Sequence, residues 1–124
     1  MKYLTLCLLA LAANFTYAAT DAWSGNVKVT EVRTGYKSGA VVFKVDQILP
    51  NPASCPTTTG AMPSSILIAI EPDKADAASM LTLLLAAKMA NVYVQVAVSG
   101  SACGAATYAD TKDRRVAVQV ALIK

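Results

Sequence analysis

From Ala77 to Ala90 the chain carries a single charge, Lys88, within a run of helix-forming apolar and small residues, and no other stretch limits its possible folds as much. Ala, Leu, Met and Lys dominate it, and all four favour helix. Asp73 stands where a side chain can accept from the unbonded N–H groups of a first turn. Asp76 follows three residues later, where a capping box places an acid. Asn91 suits a left-handed stop. The spacing predicts a helix over 74–90. Leu81, Leu84, Leu85 and Met89 cover one side of it, and Met80, Leu83 and Ala87 widen the stripe. The remaining side, Ser79, Thr82 and Ala86, is small rather than charged, and Lys88 is the one charge after Asp76. A helix on the outside of a soluble monomer presents a solvated polar face. This one needs shelter, either at the centre of a monomer or against copies of itself. Met80, Leu81, Leu84, Leu85 and Lys88 are the candidate oligomer contacts.

Short alternating segments surround the helix. Val27, Val29 and Val32 predict a strand whose alternation slips by one residue near its end, the mark of a bulge. A turn from Arg33 to Gly39, punctuated by Gly35 and Gly39, leads into a second strand. There Val41, Phe43 and Val45 share one face, and Val42, Lys44 and Asp46 the other, so the pair reads as an antiparallel hairpin. Ile48 to Pro63 holds Pro50, Pro52, Pro56 and Pro63, which disfavours a regular ladder. Ser65 to Glu71 reads as a short strand buried on both faces. After the helix, Val92 to Val98 and Val116 to Ile123 repeat a period of two. The order strand, strand, strand, helix, strand, strand predicts an α+β fold: a small five-stranded OB-like, partly open barrel with one helix between strands three and four. The alternative is an open antiparallel sheet with one packed helix.

At the N-terminus, Met1-Lys2-Tyr3 precedes an apolar run from Leu4 to Ala13 and a small-residue exit ending at Ala18-Ala19. These are the parts of a signal peptide. Residues 1–18 are therefore read as an export signal and 19–124 as a single mature domain, secreted or periplasmic. The run falls short of the roughly 20 residues that span a bilayer, so no transmembrane anchor is expected in the mature form. Cys7 leaves with the signal. Cys55 and Cys103 remain, and outside the cytoplasm an isolated pair reads first as a disulfide. It would close a loop of about 49 residues and stabilise the fold by ~4 kcal/mol. A metal pair or a reactive thiol is the other reading, but the chain has no His to serve as ligand or base.

Further chemistry is sparse. Lys2 is one of the 11 basic residues, which leaves ten against eight acids in the mature chain, a net charge of +2. Only Arg114 and Arg115 are adjacent, too weak a field for nucleic acid. The carboxylate pairs Asp73 with Asp76 and Asp110 with Asp113 are accounted for by a helix start and a solvated loop rather than by acid–base catalysis. Phosphate-loop, dinucleotide and serine-nucleophile motifs are missing from the sequence. The reading is a non-enzymatic protein with no cofactor and no metal.

The passage Leu83-Leu84-Leu85-Ala86-Ala87-Lys88-Met89-Ala90-Asn91-Val92-Tyr93-Val94-Gln95-Val96-Ala97-Val98-Ser99-Gly100-Ser101-Ala102-Cys103 carries a resemblance. With the element order and the cysteine positions, it resembles the B subunits of pentameric-ring bacterial toxins, most of all the subtilase-cytotoxin B subunit group and small exported proteins related to it. That family often has Gly before the strand, where this chain has Asn91. The resemblance implies a homo-oligomer, a pentamer in the toxins, whose central helices line a pore. It also implies binding of a glycan or host receptor and a secreted A-type partner subunit. Tyr36, Lys37 and Ser38 are the candidate ligand-binding residues: a ring can stack on a sugar, and Lys and Ser can hold its polar groups. An ordinary exposed turn explains them as well. The competing function is a stand-alone exported structural, inhibitor or protein-interaction domain.

Overall fold

The alternating valines and the charge-poor stretch meet in one α+β fold. The structure, a computed structural model, describes residues 20–56, 58–59 and 62–123. The expected export signal lies outside them. In chain order the elements are β1 (Ala22–Trp23), β2 (Val29–Arg33), β3 (Val41–Val45), β4 (Thr58–Thr59), β5 (Met62–Pro63), β6 (Leu67–Ile70), α1 (Ala77–Ala90), β7 (Val94–Cys103) and β8 (Arg115–Leu122). Six strands form a mixed sheet in the order β1-β7-β8-β6-β3-β2, while β4 and β5 make a separate small ribbon in the proline-rich loop. Hydrogen bonding thus divides the sheet into six strands where five were expected. Nor is it wholly antiparallel, because β6 and β8 run parallel where Ala69 meets Val116. The reason is the path of the chain. It leaves β6 through α1, enters β7 and reverses into β8, and β8 takes the place beside β6.

The strands at the two ends of this order are successive parts of one stretch. Ala22 and Trp23 pair with Val98 and Ala97, and Val27 bridges to Val94. Val29 then pairs with Val45 on β3, and the register shifts between Val29 and Glu31. The shift is the slip legible in the valine spacing. It lets the strand bend from one neighbour to another. The β2–β3 hairpin is antiparallel, and its turn uses two positive-φ glycines, Gly35 at 87° and Gly39 at 79°.

The core lies between the inner sheet face and α1. Phe43, Ile68 and Leu84 have no exposed surface, and Val27, Val45, Val94, Val96 and Ile70 are buried beside them. From α1, Met80, Leu84 and Ala87 reach this core, spaced three and four residues apart as one helical face requires. The helix starts at Ala77 rather than Lys74, and Asp76 at its N-cap makes no side-chain cap. Nor does Asp73 fill the expected capping role. Pro72 opens a series of backbone turns instead, in which Lys74 N–H donates to Glu71 O and Ala77 N–H to Lys74 O. The other end follows the sequence: Asn91 adopts φ 54°, ψ 43°, and Val92 N–H closes back on Ala87 O.

Cys55 and Cys103 form a disulfide. Its loop is held further by Asn51, whose Nδ2 donates to Cys55 O while its Oδ1 accepts from Cys55 N–H. The proline-rich segment is thereby fixed to the end of β7. Beyond the disulfide, residues 104–114 form a pinched loop. Gly104 N–H donates to Arg114 O and Asp113 N–H to Gly104 O. A Cβ at Gly104 would lie 1.8 Å from Thr111 O.

Replacing both cysteines with Ser is expected to lower stability by about 2–5 kcal/mol, read as a lower urea midpoint. Equal midpoints for oxidised and reduced protein would remove the disulfide from the account. Leu84→Ala, at a fully enclosed site, is expected to cost ~2–5 kcal/mol in the same measurement.

Candidate functional site

The turn carrying Tyr36, Lys37 and Ser38 packs at a corner of the sheet. Gly39 N–H donates to Tyr36 O at 2.9 Å and closes the turn. Ser38 Oγ is held at 3.4 Å from Asp110 Oδ2, which ties the turn to the pinched loop. Tyr36 is half-buried and hydrogen-bonds Arg33, which also pairs with Glu31. That pairing lowers the Glu31 pKa and raises that of Arg33. Of the three expected residues, Tyr36 and Ser38 are thus engaged with neighbours, and Lys37 points into solvent.

Next to this turn a cleft of about 420 Å³ opens between Gly39, Pro72 and the first turns of α1. Val41, Ile70, Ala77 and Leu81 make its apolar lining, and Lys74 is its charged member. Tyr108 approaches Asp73 and Glu71 from the pinched loop. Loss of water around its ring pushes its phenol pKa up, and the carboxylates of Asp73 and Glu71 push it the same way.

The five residues expected at an oligomer contact separate into two groups. Met80 and Leu84 belong to the interior of the chain's own core, and Leu81 packs partly against it. Leu85 and Lys88 face outward. They share the outer side of α1 with Ala78, Ser79, Thr82, Ala86 and Met89, all exposed. Met89 is 88% exposed and Leu85 42%. The sequence pattern was too evenly apolar to tell which leucines turn inward.

A second exposed region was not singled out from the sequence. Register places Trp23 beside Ala97 and Ala97 beside Gln119. Gln95 lies beside Ala121 and donates through Nε2 to Asn26 Oδ1 at 2.9 Å. The Val27–Val94 bridge puts Lys28 across from Tyr93, with the ammonium 5.0 Å from the ring centroid. Ser24, Val27, Val94 and Val96 between them are buried. The register slips by one residue between the Trp23–Ala97 pair and the Val27–Val94 bridge, so Trp23, Asn26, Lys28, Tyr93 and Gln95 share the outer face. The signal that could have found this face is the antiparallel pairing of residues 22–28 with 93–98, which composition does not encode.

Comparison with protein-family models and with curated proteins gave no match. Among the described residues, no helix is long and apolar enough to cross a membrane, and no group of three metal-ligating side chains occurs.

Tyr108 is expected to ionise above the ordinary phenol value of 10.0. The neutral phenol therefore contributes stability in full below that value, and the contribution is lost as pH rises through the folded-state pKa. Asp73→Asn is expected to bring the titration only partway down, since the loss of water remains. Phenolate absorbance during an alkaline titration, with Tyr108→Phe as reference, checks this.

Proposed function

We propose that the chain is an exported, non-enzymatic binding module that works as a homo-oligomer built on a small OB-like barrel. The observation that carries the oligomer is the outer side of α1. Seven exposed residues there include Leu85 and Met89 and a single charge, Lys88. Water solvates such a surface poorly, and a second copy presenting the same small and apolar residues fits against it without burying an unpaired carboxylate. A shallow depression along Ala78, Ser79, Thr82 and Leu83 gives the neighbour's side chains somewhere to seat. The resemblance to ring-forming toxin subunits favours five copies.

Support for the barrel comes from the first strand. With residues 22–33 counted as one strand, paired through its first half to β7 and through its second to β3, the order becomes first, fourth, fifth, third, second and back to the first. That is the strand order of an OB arrangement closing on itself. The disulfide favours an exported location. A glycan or host receptor is the proposed ligand class, with a secreted A-type subunit as the proposed companion, both by the same resemblance.

Light scattering and sedimentation on residues 19–124 test the oligomer. The wild-type protein is expected to run as a closed oligomer at micromolar concentration. Leu85→Glu with Met89→Glu is expected to give a folded monomer with an unchanged circular dichroism spectrum. A wild-type monomer would favour the stand-alone interaction domain instead.

A further inference from the structure

We propose that the outer sheet face between Trp23 and Tyr93 is a binding site for a short neutral oligosaccharide. The proposal rests on the reading of the protein as a binding module and not on its oligomerisation. Trp23 is 46% exposed and Tyr93 45%, and apart from Lys28 their neighbours on this face are small or amide-bearing. Trp23 lies across from Ala97, four residues along β7 from Tyr93. That offsets the backbone positions of the two residues by about 13 Å along the strand, the length of roughly two or three linked sugar rings. Aromatic surfaces stack on the C–H faces of pyranose rings because burial and the ring quadrupole act together.

Between the two rings are amides. Gln95 Nε2 donates to Asn26 Oδ1 at 2.9 Å, which fixes both side chains and leaves the Asn26 Nδ2 donors and the Gln95 Oε1 acceptor to meet hydroxyl groups. Gln119 adds an exposed amide beyond Ala97. Sugar hydroxyls donate and accept at once, and paired amides suit them better than a charged group does.

Charge decides which sugars fit. Lys28 is the cation of this face, and its ammonium lies over Tyr93. Carboxylates flank both ends of the face: Asp46 accepts from Lys28 N–H, and Asp21 accepts from Gly100 N–H. The field is close to balanced, so it offers little to a phosphate chain or an acidic sugar and complements an uncharged, hydroxyl-rich ligand.

Trp23 is the chain's single tryptophan, so its emission reports on this face directly. Maltotriose, cellotriose and chitotriose are titrated separately into the wild-type protein. At least one is expected to give a saturable emission change with Kd on the order of 1 mM, unaltered by added salt. Tyr93→Ala and Gln95→Ala are each expected to weaken it, Tyr93→Ala by roughly tenfold. The Leu85→Glu, Met89→Glu protein is expected to bind as the wild type does, which separates this site from the fate of the oligomer. The proposal is overturned if none of the three sugars gives a saturable change, or if both face variants bind unchanged. It is equally overturned if calorimetry detects binding with Trp23 silent, or if only sialyllactose responds and its response fades with salt.

Discussion

The inward stripe of α1 closes the open side of the core. Met80, Leu84 and Ala87 press on the sheet, with Ala77, Leu81 and Leu83 at the margins. Without that cover Phe43, Ile68 and Ile70 would face water, and a domain of this length has little apolar surface to lose. The helix also touches β2, β6 and β8, elements from distant parts of the chain. One amphipathic surface thereby holds both halves of the sheet in register. The residues left over on its outer side are small and apolar. The sequence that makes a good lid for the core thus also makes a poor surface for water.

Around this core, the loops are fixed by specific bonds rather than by bulk burial. The disulfide anchors the proline-rich loop, and Asn51 brackets Cys55 from both sides. Gly104 allows the next loop to close on itself, because no side chain fits against Thr111 O. Ser38 then joins that loop to the β2–β3 turn through Asp110. The corner expected to bind ligand is therefore tied down by its own polar groups. The face with Trp23 and Tyr93 leaves both rings about half exposed, Tyr93 with Lys28 over it, and one side of its amides open.

Much of the fold was legible because local chemistry and tertiary role agree. The slip in the valine alternation marks a true shift at Glu31, Asn91 ends the helix in the left-handed region, and the cysteine pair is bonded. Asp73 and Asp76 look like caps in the sequence, but after Pro72 the backbone runs through turns and the helix begins only at Ala77, uncapped by Asp76. The parallel contact between β6 and β8 depends on which strand returns beside which, and periodicity says nothing about that. For the site residues, pattern failed for a related reason. On a helix with Leu at 81, 83, 84 and 85, nearly every direction is apolar, so only packing shows that Leu84 is enclosed and Leu85 is not. Tyr36 and Ser38 carry chemistry suited to a sugar, and only the fold shows that both are already engaged.

The first strand has a bearing on the order in which the molecule can assemble. Its initial residues find their partners at positions 97 and 98, near the far end of the chain. A ribosome or a translocation channel delivers residues 22 and 23 long before those partners exist. The β2–β3 hairpin can form early from neighbouring segments, but the leading segment must wait for the final third of the polypeptide. Such long-range closure is slow, because the entropy of bringing distant ends together is lost before any contact offsets it. A chain that leaves its front end unpaired until the last is also one that a narrow pore can thread before it sets.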